Sequence, residues 1–386
     1  MKEFIHAWRK TLTLCKNLFF PAILFCIALM MFYGNDEFNR GNLLFLHSAF
    51  YTFSFLSIVV LLYFNRQSPL FYIICMSASY IIINLFKLHN FDITILNNFF
   101  VILPINLFIF SYFTNLKLFS QSGIYWLCLI LVEYCLIEKI FYNTGIDLNF
   151  LFKSTSIPCE TSIILFSILI FGSLVRAIIY GTIMDYCIFF SNFSIFIGTF
   201  YYSSPTALSL FFAFSSFIIF ICLCTDIYFN TYHDPLTSLM SRQAFILQSA
   251  KFPLKYSIGI ISVDDYDKMA YMFGKKGRNE IIKLIALKLS EIEPEELLYR
   301  YSNDRFIIIF KNEIKKEAYK RMENLRRQIA AANFEPSNKS KPIKITISGC
   351  ISEKKRSDAD AIEVLVRAHK VLQKALTFSH NLTSQA

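Results

Sequence analysis

Tyr299-Arg300-Tyr301-Ser302-Asn303-Asp304-Arg305-Phe306-Ile307-Ile308-Ile309-Phe310 reads as two short strands joined by a tight polar turn. The flanking runs are aromatic and β-branched, and Ser302 to Arg305 interrupt them with solvated side chains. Asn and Asp tolerate the positive φ that a two-residue hairpin loop asks for. Outward from this hairpin, the preceding chain predicts a strand over Tyr256–Val263 and a helix over 277–292. The following chain predicts a helix over 313–331, a strand over 343–351 and a helix over 358–376. The order βαββαβ with antiparallel pairing is that of an α+β, ferredoxin-like sheet, expected here with helices on one face.

The other end of the chain has a different chemistry. Of the 386 residues, 55% are hydrophobic and 17% aromatic, and the mean hydropathy of +0.46 excludes a wholly soluble protein. Apolar segments of spanning length recur from Leu18 onward, and a helix needs about 20 such residues to cross a bilayer. We expect eight, over 18–33, 43–64, 69–86, 93–113, 124–142, 161–179, 184–202 and 206–224, with the division near Gly181 the least sharply marked. This gives an all-α polytopic membrane bundle over 1–225 and a soluble domain over 226–386. Their net charges are +2 and +8. The basic pairs of the soluble part, such as Lys275-Lys276 and Arg326-Arg327, are spread over several elements and read as solvated helix faces; no nucleic-acid partner is expected.

Lys2, Arg9, Lys10, Lys16, Arg66, Lys117 and Arg176 flank the spans on one side, against Arg40, Lys87, Lys139 and Lys153 on the other. The more basic side is expected to be cytoplasmic, and an even number of crossings puts both termini there. The basic start followed by repeated apolar runs is expected to be an anchor and not a cleaved signal. Nine of the ten cysteines lie in the membrane part without metal-ligand spacing, and they are expected to be packing residues.

Ionisable groups inside a span are costly unless paired or facing a cavity. Glu133, midway along its segment, is the membrane polar-site candidate, whereas Glu138 and Lys139 can reach the interface. Arg176 and Asp185 flank the turn at Gly181 and are expected to pair. His47, Asn97, Asn98 and Asn106 are candidates either for lining a small ligand pocket or for interhelical hydrogen bonding, and Pro104 is expected to kink the fourth helix.

The soluble part resembles GGDEF domains. His233-Asp234-Pro235-Leu236-Thr237-Ser238-Leu239-Met240-Ser241-Arg242-Gln243-Ala244-Phe245 is similar to that family's opening Asp-x-Leu-Thr-Gly-Leu-x-Asn-Arg-Arg-x-Phe, with Ser238 and Ser241 as departures. Arg300, Tyr301 and Phe306 match its Arg-Tyr-Gly-Gly-Asp/Glu-Glu-Phe signature, and Thr346 and Ser348 match its Thr-x-Ser strand. The resemblance covers about 230 to 381.

A diguanylate cyclase of this family joins two GTP molecules on facing domains, with divalent metal ions gathered by carboxylates. Carried over residue by residue, the resemblance implies a degenerate site. The strand-end metal aspartate falls on Ser262, and the signature reads Ser302, Asn303, Asp304, Arg305, Phe306, so that one carboxylate survives beside a cation. The guanine-reading positions fall on Ala270 and Asn279, and the phosphate-binding positions on Leu376 and His380. Lys275 and Arg278 stand where the family has His and Gly in the motif that opens at Gly274. Glu293-Pro294-Glu295-Glu296 replaces the product-inhibition motif with the opposite sign. Asp264 and Asp304 remain residual metal candidates only if the domain is active.

The resemblance therefore implies an inner-membrane signalling protein of bacteria in cyclic di-GMP-related signalling. Its GGDEF domain is expected to be silent, to bind no cofactor, and to act on a protein partner or as a homodimer. With so short a link after the last span, movement of that helix is expected to reach the soluble domain directly. Two alternatives stay open. One is an active cyclase using Mg²⁺ and GTP through Asp264, Asp265 and Asp304; the other is a carrier or lipid-handling bundle centred on Glu133, with the soluble domain as regulator.

Overall fold

The computed structural model describes residues 2–34, 40–64, 69–89, 93–112, 120–130, 132, 158–294, 297–334 and 342–386. The chain forms two compact units, Met1–Ile227 and Tyr228–Ala386. Glu133, Glu138 and Lys139 lie outside the described residues.

The first unit is helical: α1 Lys2–Tyr33, α2 Arg40–Tyr63, α3 Leu70–His89, α4 Ile93–Tyr112, α5 Gln121–Ile130, α6 Glu160–Tyr180, α7 Ile183–Phe200 and α8 Pro205–Tyr232. Among the described residues, six helices are long and apolar enough to span: α2, α3, α4, α6, α7 and α8. The first and fifth expected spans are represented by the shorter apolar stretches Asn17–Tyr33 and Gln121–Ile130. Pro104 lies inside α4, which remains one helix.

The division at Gly181 is resolved. Gly181 adopts φ 65° and caps α6 through its N–H to Ala177 O, and the Thr182 hydroxyl then caps α7 by accepting from Asp185 N. A left-handed residue there is what only glycine takes without strain. Arg176 Nε lies 2.7 Å from Asp185 Oδ1, the expected pair, and Arg176 also donates to Ser111 O.

The polarity of this unit is inverted relative to a soluble bundle. Phe19, Met30, Leu44, Phe45, Phe171 and Ile179 are exposed, whereas Ser162, Ser191, Asn192, Ser194 and Ser215 are buried and mostly hydrogen-bonded. Tyr72 Oη donates to Asn192 Oδ1 at 2.7 Å. Apolar side chains facing outward and small polar ones between helices are what a hydrocarbon solvent selects. One expectation fails: Cys187 of α7 and Cys222 of α8 are joined as a disulfide, so these two cysteines are not merely packing residues.

The second unit holds a six-stranded sheet in the order β1-β3-β4-β2-β5-β6. Its strands are β1 Met240–Ser241, β2 Tyr256–Val263, β3 Leu298–Arg300, β4 Arg305–Lys311, β5 Ile347–Glu353 and β6 Thr383–Gln385. Its helices are α9 Arg242–Ser249, α10 Tyr266–Ile292, α11 Lys315–Ala331 and α12 Ala361–Leu376. The expected strand over Tyr256–Val263 and the antiparallel hairpin β3–β4 are both present.

Helices cover both faces of the sheet, not one. Ile261, Val263, Phe306, Ile308 and Phe310 pack with α10 and α11, whereas Ile258, Ile260, Ile307 and Ile309 pack with α9 and α12. Side chains alternate across a strand, so a continuous apolar run such as Ile307-Ile308-Ile309 supplies both faces and requires cover on both. Gly259 admits α11 closely, since a Cβ there would collide with Met322 Cε.

Candidate functional site

β2 ends at Ser262-Val263 and is followed by Asp264-Asp265, and the β3–β4 turn lies beside it because Ser262 pairs with Arg305 in register. Asp264 is buried and already occupied. Its Oδ2 accepts from Thr346 Oγ1 at 2.7 Å and from Asn381 N at 2.9 Å; its Oδ1 accepts from Ser348 Oγ at 2.7 Å, with His380 Nδ1 3.5 Å away. The match to a Thr-x-Ser strand thus acquires a structural reason: the two hydroxyls hold a buried carboxylate. Asn381, at φ 57°, turns its amide toward the same group.

Asp304 is also engaged. Ser302 Oγ donates to its Oδ1 at 2.8 Å, and Arg305 Nε lies 3.3 Å from Oδ2, with Ser262 Oγ at 3.5 Å. Arg305 reaches on to His369 of α12, where Nη1 donates to Nε2. Burial, reinforced by the Arg305 charge, holds the His369 imidazole below its ordinary pKa. Asp265, at φ 54°, faces outward and pairs with Lys268 at 2.7 Å, which keeps its carboxyl below the usual range.

The hairpin turn carries no positive φ at Ser302, Asn303 or Asp304, contrary to the sequence expectation. Residues 301–304 make a longer loop closed by Tyr301 N and Ser302 N to Arg305 O, and the buried Arg300 guanidinium holds Asn303 O from beneath. Arg300 also lies over the Phe306 ring at 4.8 Å, and burial pushes its pKa down.

The remaining predicted positions spread around this centre. Ala270 and Asn279 sit half-buried in α10 on either side of Gly274, whose φ of 68° and ψ of 174° divide it into two helical segments, the second being the helix expected over 277–292. Arg278 stacks over Tyr266 at 4.6 Å. Leu376 packs into the core under α12, and His380 faces Asp264. Glu293 is buried against Arg321, which also binds Glu313; Glu295 and Glu296 lie outside the described residues. His369 was missed in the sequence, where nothing in its local spacing marks it.

The opening motif forms a compact turn. Asp234 Oδ2 accepts from Thr237 N and Thr237 Oγ1, both at 2.8 Å, and Ser238 at φ 62° occupies the position where the motif has glycine. Ser241 caps α9 by accepting from Ala244 N, and Arg242 lies over the Tyr301 ring at 4.8 Å, tying the opening motif to the hairpin.

Residues 231–381 form a GGDEF domain: they match the family model described as "Diguanylate cyclase, GGDEF domain". Three solved structures similar to this chain are the FimX GGDEF domain from Pseudomonas aeruginosa, the coiled coil and GGDEF domain of DgcB from Caulobacter crescentus with c-di-GMP, and diguanylate cyclase SiaD from P. aeruginosa with its activator SiaC. FimX is 21% identical, with 40% of this chain and 99% of that one covered and a TM-score of 0.36. DgcB is 18% identical, with 42% and 90% covered and a TM-score of 0.39. SiaD is 16% identical, with 42% and 65% covered and a TM-score of 0.39. Comparison with curated proteins gives no match.

GGDEF domains, when active, use Mg²⁺ and GTP. The donor set here does not fit a divalent ion. Both Asp264 oxygens are taken by hydroxyls and an amide, Asp304 is neutralised by Arg305, and Ser262 brings no charge. Among the described residues no group of three His, Cys, Asp or Glu is arranged to hold a metal ion. Mg²⁺ requires near-octahedral oxygen ligands with carboxylate charge, which this arrangement does not free.

Proposed function

We propose that this is a membrane-embedded signalling protein of the bacterial inner membrane whose GGDEF domain is catalytically silent. The membrane unit anchors or senses, both termini lie in the cytoplasm, and the domain over 226–386 relays state to a protein partner or a second copy in cyclic di-GMP-related signalling. The carrying observation is the Arg305 guanidinium against Asp304, 3.3 Å away, at the place where a cyclase needs metal-bound negative charge. A fixed cation there disfavours a second cation by Coulomb repulsion, and it neutralises the carboxylate that would recruit one. The saturation of Asp264 supports the same reading, because releasing it would strand the buried Ser348 hydroxyl and the half-buried Thr346 hydroxyl.

The test is the full chain in detergent with GTP and Mg²⁺ or Mn²⁺, assayed for nucleotide binding and cyclic di-GMP. We expect no product. Product that disappears in Asp304→Ala would overturn the reading and make the domain a working cyclase.

A further inference from the structure

His47 on α2, Tyr80 and Lys87 on α3, Tyr202 in the α7–α8 turn and Ser209 on α8 converge at one end of the helical unit. Ser209 Oγ donates to Pro205 O at 2.9 Å, and a carbonyl can only accept. The single Tyr80 proton therefore goes to Ser209 Oγ, also 2.9 Å away. His47 Nδ1, 2.6 Å from Tyr80 Oη, must then be the donor. This order fixes the tautomer and leaves Nε2 as an acceptor that no described residue meets. Tyr80 is fully buried, with the Phe50 and Phe212 rings 4.2 and 5.0 Å away, so the relay has little room to rearrange.

Lys87 lies two helical turns beyond Tyr80 on the same face of α3. Its ammonium donates to Tyr202 O at 2.7 Å and sits 4.3 Å from that ring's centroid. An ammonium has three donors and this one uses a single carbonyl; among the described residues no carboxylate pairs with it. A half-buried cation that meets no carboxylate among the described residues, at the end of a membrane helix bundle, is a costly arrangement for a residue with no function.

We propose that Lys87 and His47 bind a small oxyanion of phosphate or hydroxy-acid type. Its charged oxygen takes the spare Lys87 protons, and its own O–H is donated to His47 Nε2. The same chemistry is offered by a soluble phosphate and by an anionic lipid headgroup with free hydroxyls. The inference stands apart from the silence of the GGDEF domain and from the orientation of the bundle, since binding in detergent depends on neither.

The experiment uses the full chain in an uncharged detergent, titrated with inorganic phosphate against chloride at equal ionic strength. A parallel arm places it in phosphatidylcholine nanodiscs with and without phosphatidylglycerol. Saturable phosphate binding identifies a soluble ligand; a signal with phosphatidylglycerol alone identifies a headgroup. Either should weaken roughly tenfold or more in Lys87→Met and, independently, in His47→Phe, and survive in Lys87→Arg, as loss of one partner of a charged contact does. Absence of both signals in the unmodified chain, or persistence in both variants, would overturn the site and leave Lys87 an interfacial anchor.

Discussion

Ser238 holds φ 62° in the turn between Asp234 and Leu239, and a side chain with a Cβ is strained there. Ser238→Gly should therefore raise the stability of the second unit by about 0.5–1 kcal/mol, less than the full strain because glycine also loosens the unfolded chain. Urea unfolding of residues 228–386, which contain both of that unit's hydrophobic cores, measures it; a loss of stability would mean that the serine side chain contributes more than its backbone costs. Asp264 makes the opposite case. Asp264→Ala leaves Thr346 Oγ1, Ser348 Oγ and Asn381 N without their acceptor and should cost about 3 kcal/mol by the same measurement. A change under about 0.5 kcal/mol would contradict a structural role for this carboxylate. At this scale, legibility followed chemistry that is local in sequence. Arg176 with Asp185 was readable as a pair flanking one turn, whereas the hold of Thr346 and Ser348 on Asp264 spans more than eighty residues and needs the sheet register to be known. His369 had no signal because its partner, Arg305, lies on another element.

The β3–β4 hairpin and α12 meet through that Arg305–His369 contact, and it requires a neutral imidazole to accept. Burial and the Arg305 charge lower the His369 pKa in the folded state, relative to about 6.5 unfolded. A depressed folded pKa means that the unfolded chain binds the proton first. The contribution is complete above the unfolded value and is lost as pH falls through the lower folded one. The carboxylates with resolved shifts titrate lower still, with Glu323 held down to about 2 by Arg326 and Asp265 and Asp358 held below their usual range by Lys268 and Arg367. Stability of residues 228–386 should fall as the pH drops below the unfolded histidine value of about 6.5, and His369→Gln should flatten that part of the profile. An unchanged slope in the variant would place the titrating group elsewhere. Element identities were well marked in the sequence, β2 above all, because apolar runs between polar breaks leave little choice. Other features were not: the short strands β1 and β6 and helix α9, which extend the expected βαββαβ order; the second layer of helices, implied by the unbroken Ile307-Ile308-Ile309 run but not drawn from it; and the turn conformation, which is fixed by Arg300 from below rather than by Asn303 and Asp304 themselves.

For the molecule as a whole, composition separated an apolar helical unit from a basic α+β unit, and the chain forms two compact units, Met1–Ile227 and Tyr228–Ala386. The pairing of Cys187 with Cys222 could not be anticipated, because thirty-five residues and a turn separate them in the chain. Orientation is the property of the whole chain most open to test. Seven basic residues in the short flanks fall on one side and four on the other, and positively charged flanks stay on the cytoplasmic side. The helix-ending Gly181 and the turn after Phe200 fall on opposite sides of that scheme, with α7 between them long enough to cross. Alkaline phosphatase joined after Gly34 or after Ser203 should therefore be active, and inactive after Gly181 or Ala386; a fluorescent protein, which matures in the cytoplasm, should give the reverse pattern. Phosphatase activity at Ala386 would place the GGDEF domain outside, away from nucleotide and cytoplasmic partners, and the proposed function would fall with it. Activity at both Gly181 and Ser203 would show instead that α7 does not cross, and the scheme would lose the even number of spans that returns the chain to its starting side.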